Sequence, residues 1–397
     1  MKRFLRFIFH IDHIAVCIST FALFWLLKVV TFNLDILNPV AEALDKFSTS
    51  DIFFDIQYSE SEHKSSDLIT IVDMTELHSR GDIAMMLEEI NLNDPLLVGV
   101  DLIFEGVKDD SSGNAMLEMA VAQLSDVAVF SNKLIDYDPQ HDAFIGSVGS
   151  YFAQDMGVTE AYTNLKSNMS GEIVREFTTK QLCGESQVLS FPARLAAQFD
   201  DSLYESQNRD LLIDYSNVSF PVVRWDEIAE NSDLIEGHIV LVGTMTEERD
   251  MHMTPVGKMP GLKVQAYSLL TLLEHKNITE LPQWLTLLLC FMVCYLLELI
   301  LSLLHCLLEK YPNSVAFTFL KESELLSLVA MFVFTVFLYW ASYSVFVNQG
   351  VLFESAILIV LVTLLFESRV LYRALVFSLR RRYNWEYLNH SLFRDDK

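Results

Sequence analysis

The chain has 397 residues, 51% of them hydrophobic, and a formal net charge of -25. Asn33 to Pro282 holds 43 acidic and 15 basic residues, a balance of -28, while the remainder holds 10 acidic and 13 basic residues, a balance of +3. So acidic a central region repels nucleic acid and anionic lipid and excludes both as its ligands, while permitting a cation or a basic partner.

Residues 1–10 carry Lys2, Arg3 and Arg6, and an apolar run follows from Ile14 to Leu27. With Lys28 snorkelling to the interface, residues 11–32 are long enough to span a bilayer. No small-x-small cleavage site follows, which favours an uncleaved anchor over a signal peptide. A helix is expected to continue over 33–54, with apolar residues at 36, 37, 40, 44 and 47.

The central region, 33–282, alternates β-branched runs with helical periodicity. Leu68 to Asp73 reads as a buried strand. Apolar positions 83, 86, 87 and 90 predict an amphipathic helix. Leu96 to Asp101 predicts a second strand, Asn114 to Leu124 a second helix and Val127 to Phe130 a third strand. This β-α-β-α-β order predicts parallel strands with helices on both faces. An edge or hairpin strand is expected over 172–181, within an insertion spanning 141–185. A helix is expected over 188–199, and further buried strands at Leu211 to Asp214 and Ile239 to Gly243. The fold class is therefore α/β: a mostly parallel sheet flanked by helices, with an inserted hairpin, beside a four-helix transmembrane bundle.

Three further spans are expected at 283–308, 325–347 and 351–372, with a loop at 309–324 and a basic tail at 373–397. Lys2, Arg3 and Arg6 place the N-terminus inside, and Arg369, Arg373 and Arg380 to Arg382 place the C-terminus on the same side. The large region then lies in the periplasm of a bacterial inner-membrane protein. Glu298 falls inside the second span, where a carboxylate is costly and marks either a coupling site or packing by hydrogen bonding within the bundle. Ser327 and Thr335 of the third span are its expected companions. Arg380, Arg381 and Arg382 with Trp385 read either as a docking segment for an output protein or as an interfacial anchor.

Five cysteines are present, and only Cys183 lies in the central region, so no internal disulfide forms there. Neither Cys nor His spacing gives a metal motif, and no nucleophile elbow or phosphate loop is present. No cofactor and no catalytic residue is expected. In parallel sheets, ligands bind beyond the carboxyl ends of strands. Here those ends carry Asp73, Asp101, Asn132, Asp214 and Thr244. Asp73 and Asp101 are expected to end adjacent strands, with Glu105 nearby and Arg175 as counter-charge. Such a rim either holds a divalent cation or the amines and hydroxyls of a small ligand, or simply caps helices and braces loops.

The segment Gly237-His238-Ile239-Val240-Leu241-Val242-Gly243 is followed by Asp250, Thr254-Pro255 and Pro260-Gly261-Leu262-Lys263-Val264-Gln265-Ala266. It resembles the end of the type-2 CHASE domain, an extracellular sensory module of bacterial cyclases and kinases. Ile69 to Asp73, Asp101 to Glu105, Ser170 to Arg175 and Leu212 to Tyr215 resemble earlier family segments in the same order, and Arg80 alone matches the family's W-P-W-P-R stretch. The resemblance covers about Asn38 to Tyr372. It implies a sensor followed by three transmembrane helices. Family members usually continue into a cytoplasmic enzyme, and Val376 to Lys397 is too short for one. The expectation is a sensor or receptor subunit that is not itself an enzyme. Its partners would be lipid, a separate signalling protein and a second copy of itself. The rival expectation is an assembly subunit of a membrane complex.

Overall fold

The computed structural model describes residues 7–33, 49–60, 64–165, 173–200, 202, 210–215, 218–275, 278–309, 325–353, 355–383 and 391–392. The chain divides into two units, one formed by residues 1–49 and 279–397, the other by residues 50–278. The first contains α1 (Ile11–Asn33) and the C-terminal helices, and the second is the α/β unit. Most of the helix expected over 33–54 lies outside the described residues.

The α/β unit opens on α2 (Thr49–Glu60) and β1 (Lys64–Ser65). Then follow β2 (Ile69–Asp73), α3 (Arg80–Leu92), β3 (Leu97–Val100), α4 (Ser111–Leu124) and β4 (Ala128–Asp138). Ser79 caps α3 by accepting from the Asp82 amide, and Asp110 caps α4 by accepting from the Gly113 amide. These caps satisfy helix-end donors that would otherwise be orphaned. The β-α-β-α-β reading is thus realised, with β4 running further than its apolar core.

Next come β5 (Ala143–Val148), a single helical turn α5 (Ala153–Met156), β6 (Thr159–Tyr162), β7 (Glu176–Thr178), β8 (Lys180–Cys183) and β9 (Ser186–Leu189). Helix α6 (Phe191–Phe199) starts later than expected, because Val188 and Leu189 belong to β9 and Pro192 occupies the first turn. The unit closes with β10 (Asp210–Leu212), β11 (Val218–Ser219), β12 (Val222–Arg224), β13 (Ile239–Gly243), β14 (Met251–Thr254), β15 (Gly257–Pro260) and α7 (Gly261–Leu273).

The main sheet has the order β12-β2-β13-β3-β4, continued by β5, β8 and β9, with β6 also on β4. Strands β12, β2, β13, β3, β4 and β6 are parallel to one another. Two expectations are corrected. The late strand β13 inserts between β2 and β3, so these are not neighbours. The expected strand at Leu211 to Asp214 is not in this sheet: β10 pairs antiparallel with β7.

Helices α3 and α4 bury Ile83, Leu87, Leu117 and Val121 against Val72, Val98, Val100 and Val242. Helix α6 covers the opposite face at Gly99, where an added Cβ would lie 2.7 Å from Phe191, 2.8 Å from Leu195 and 2.8 Å from Leu241. Glycine there permits a close helix–sheet approach.

In the other unit, α1 is joined by β16 (Thr279–Glu280), α8 (Gln283–Glu309), α9 (Leu325–Gln349), β17 (Val351–Leu352) and α10 (Ser355–Arg382). Val16 and Cys17 of α1, Cys290, Cys294 and Leu297 of α8, and Leu358, Leu361 and Leu365 of α10 form one buried core. Strand β16 pairs with β17, which ties the start of α8 to the α9–α10 turn. Among the described residues, three helices are long and apolar enough to cross a membrane: Ile11–Val29, Gln283–Cys306 and Met331–Gln349. The fourth expected span, Val351–Tyr372, is not among them. Its first two residues form β17, and Glu367, Arg369 and Arg373 interrupt α10.

Candidate functional site

Strand register places the expected rim residues. Arg224 and Gly243 both pair with Asp73, and Val242 pairs with Val100. The Asp101 amide donates to the Val242 carbonyl at 2.8 Å. Asp73 and Asp101 therefore stand at the same carboxyl edge, one on each side of β13, and Thr244 follows on that edge.

Their surroundings differ. Asp73 Oδ1 accepts from the Thr75 amide at 2.9 Å and from its hydroxyl at 2.5 Å. The same hydroxyl oxygen accepts from the Met245 amide at 2.9 Å, so Asp73 braces two rim loops. Asp101 is crowded. Burial and the nearby Asp250 carboxylate push its pKa up to about 7, against a hydrogen bond with Ser131 and the attraction of His252. Asp250 sits against the start of α7, where a Cβ on Gly261 would fall 2.7 Å from its Oδ1. His252 Nε2 lies 3.6 Å from the same oxygen. Ser131 and the hairpin residues Asp250 and His252 were not expected at the site. The Asp250 to Gly261 stretch that resembles the family was the available signal.

Within β4, where its parallel pairing with β6 ends, the Asn132 side chain hydrogen-bonds Glu160, and its buried Oδ1 has no partner among the described residues. Glu160 also accepts from the Ser150 amide at 2.7 Å, and burial raises its pKa. Beside the rim, Arg80 is 3% exposed and holds the loop after Asp101. It donates to the Gly106 carbonyl at 2.6 Å and to Asn114, with its guanidinium 4.9 Å from the centre of the Tyr151 ring. Glu105 takes part only through its carbonyl, 3.5 Å from Arg80, and its side chain is exposed.

Two expected members lie elsewhere. Arg175 is not the rim's counter-charge. It forms a two-pronged ion pair with Asp51 of α2, Nε to Oδ1 at 2.8 Å and Nη2 to Oδ2 at 2.6 Å. The Asp214 amide donates to the Thr271 hydroxyl at 2.9 Å, near the far end of α7. Ten residues of helix separate Thr271 from Gly261, about 15 Å. Asp214 left the rim because β10 left the sheet. At the middle of α7, Tyr267 hydrogen-bonds Tyr58 of α2, and Tyr215 packs on both Tyr267 and Phe54 at ring separations of 5.4 and 6.0 Å.

Asp51 and Arg175 are about one-fifth exposed. A double-mutant cycle with Asp51→Asn and Arg175→Gln is expected to give a coupling of about 1–2 kcal/mol in thermal unfolding of the full chain. Coupling near zero would show that the pair does not hold α2.

In the helical unit, Glu298 is fully buried, and Ser302 Oγ donates to its Oε1 at 2.8 Å. His13 of α1 and Arg369 of α10 lie 3.5 and 3.7 Å from its two oxygens. Its companions thus come from α1 and α10 rather than from Thr335 of α9; the Ser327 side chain lies outside the described residues. Arg380, Arg381 and Arg382 are exposed at the end of α10, and Trp385 lies outside the described residues. Among the described residues, no group of three or more His, Cys, Asp or Glu side chains is placed to hold a metal ion.

No curated protein and no solved structure matches the chain. The CHASE2 domain matches residues 21–304, more than half of the 397, and the match runs from within α1 to within α8. The parallel sheet, the rim closed by the Asp250 hairpin and the Pro260-Gly261 start of α7 all lie inside it, and the protein belongs to the CHASE2 domain family, a family of sensory domains.

Proposed function

We propose that this protein is a membrane sensor whose α/β unit recognises a signal at the rim formed by Asp101, Ser131, Asp250 and His252. One observation carries the reading: α7 links the rim to the polypeptide leading into the apolar helices. Its first turn meets Asp250, while Tyr267 at its middle hydrogen-bonds Tyr58 of α2. Helix α2 follows α1 in sequence, and α7 precedes α8. A ligand that binds two positions of α7 unequally shifts their populations, and both connections feel the shift.

The role is recognition rather than catalysis. The α/β unit faces the periplasm, both termini are cytoplasmic, and α10 completes a four-helix bundle. Arg380 to Arg382 and Trp385 dock a separate output protein. Reporter fusions test the topology. A reporter after Asn33 or at Lys276 is expected to read periplasmic, and one at Lys397 cytoplasmic. A periplasmic C-terminus would leave three crossings, in line with the charges that interrupt α10. Purification of the full chain in mild detergent tests the role. A co-purifying kinase or regulator is the expected result, and a large envelope assembly in its place would overturn it.

That second reading, an assembly subunit, has its own observation. The β4–β5 hairpin and β8 expose Ile135, Tyr137, Ile145 and Leu182. Apolar side chains exposed in a group suit contact with a second copy or another subunit.

A further inference from the structure

Helices α1, α8 and α10 enclose a set of ionisable side chains whose bonding is incomplete. His13 and Glu298 are both 0% exposed. Glu298 Oε1 lies 3.5 Å from His13 Nδ1, and Oε2 lies 3.7 Å from Arg369 Nε. Both separations exceed a good hydrogen bond. Among the described residues, neither His13 ring nitrogen has a hydrogen-bond partner, and neither has Glu298 Oε2. Arg369 reaches the carboxylate's neighbour instead, donating from Nη2 to Ser302 Oγ at 3.4 Å.

A buried imidazole with two unbonded nitrogens calls for an explanation, because each unmet polar group costs its desolvation. A neutral ring wastes one donor and one acceptor here. A protonated ring has two donors, one already facing a carboxylate oxygen. The ring is also walled in, with Phe7, Tyr295 and His10 edge-on at 5.4, 6.3 and 6.4 Å.

Other ionisable groups face this centre. Helix α1 brings Asp12 and Cys17, and α8 brings Cys294 and Tyr295. Helix α10 adds Tyr372 and Arg373, while α9 has no Asp, Glu, Lys, Arg or His. Asp12 is held by the Tyr372 hydroxyl at 2.9 Å, the Ser391 hydroxyl at 2.8 Å and the Leu392 amide at 2.7 Å. Glu298 thus faces His13 through Oε1 and Arg369 through Oε2.

We propose that His13 and Glu298 form a proton-binding site, and that uptake of one proton closes the α1–α8 seam. The proton comes from the aqueous phase and adds to a ring nitrogen of His13; no other bond forms or breaks. The charge of His13, Glu298 and Arg369 together rises from zero to +1. With His13 neutral, Glu298 is drawn to Arg369 on α10. With His13 charged, it is drawn to α1. Two cationic partners on two helices thus compete for one carboxylate, which gives the bundle two arrangements that a proton selects between.

Cys17 supplies a native reporter. It lies one turn beyond His13, is fully buried, and shares a core with Cys290 and Cys294. The experiment alkylates the full chain in zwitterionic nanodiscs with a small maleimide and resolves the sites by mass spectrometry. Dividing the Cys17 rate by that of half-exposed Cys183 corrects for the pH dependence of thiol chemistry. From about pH 8 down to about pH 5.5, the ratio is expected to fall about fivefold or more. His13→Gln and Glu298→Gln should each abolish the fall. A flat wild-type ratio, or an unchanged slope in His13→Gln, would overturn the proposal. Should either variant fail to fold, the nitrogen chemical shifts of the wild-type His13 ring decide alone, since an imidazole that stays neutral to pH 5.5 binds no proton.

Discussion

Replacing Gly99 by valine is expected to cost the sensory domain about 3 kcal/mol or more and to lower its thermal midpoint by about 6–12 °C. Gly99 lies in β3, between β13 and β4, on the face covered by α6. The first added carbon would fall within 2.8 Å of Phe191, Leu195 and Leu241. These atoms belong to two elements packed from different directions, so no single rotamer change makes room. Helix α6 would have to lift, and with it the contacts it shares with α7. Because domains are stable by only about 5–15 kcal/mol, a loss of this size removes a large part of the margin. Gly146 provides the control. Its added Cβ would meet only Ile135, at 3.7 Å, so Gly146→Ala should change the midpoint little. Thermal unfolding of the full chain in detergent, followed by resistance to trypsin, distinguishes the two. A Gly99→Val protein as resistant as wild type would show that α6 does not rest on the sheet as described.

The same position shows what a sequence reading can reach. Leu97 to Val100 is apolar with two valines, so a buried strand is legible, and a glycine within it signals close approach by something. That the something is α6, 92 residues later, is not legible, because spacing within a segment says nothing about which distant segment lies over it. The early β-α-β-α-β run was readable for the same reason: its periodicities are local and its connections short. Strand order was harder. Neighbouring strands in sequence are usually neighbours in space, so β2 and β3 were expected to pair. β13, all five residues buried, takes the place between them. The rim inherited both outcomes. Asp73 and Asp101 do share an edge, because parallel strands in one sheet end together. Arg175 and Asp214 do not, because their segment pairs as β7 with β10 and is tied to α2 and the end of α7. Asp250 and His252 could not be found from strand ends at all. They reach Asp101 from a hairpin, and only the motif resemblance pointed there.

Asp101→Asn is expected to stabilise the protein at pH 8 while leaving its stability at pH 4 nearly unchanged. The folded pKa of Asp101 is raised to about 7, first by burial and then by Asp250, whereas an unfolded aspartate titrates near about 3.9. Between these values the folded state binds a proton that the unfolded state has released. Stability is therefore complete below about pH 4, falls as pH rises toward about 7, and is flat above it. Each tenfold difference in proton affinity between the folded and unfolded carboxyl corresponds to about 1.4 kcal/mol. A difference of about a thousandfold sets a ceiling of about 4 kcal/mol, and the partial exposure of Asp101 lowers the realised value to about 2 kcal/mol. Asparagine copies the shape of the protonated acid, can still bond Ser131, and carries no charge to face Asp250. The variant should lose the wild-type decline between pH 4 and pH 7. Thermal unfolding of both full chains across that range measures it. At the same time, a rim that reads a ligand through the ionised carboxylate loses its response in a protein that is, at pH 8, more stable than wild type. Loss of response would then have nothing to do with loss of folded protein. If Asp101→Asn is instead less stable than wild type at every pH, the carboxylate is bracing the rim, and recognition must be sought at the other groups that line it.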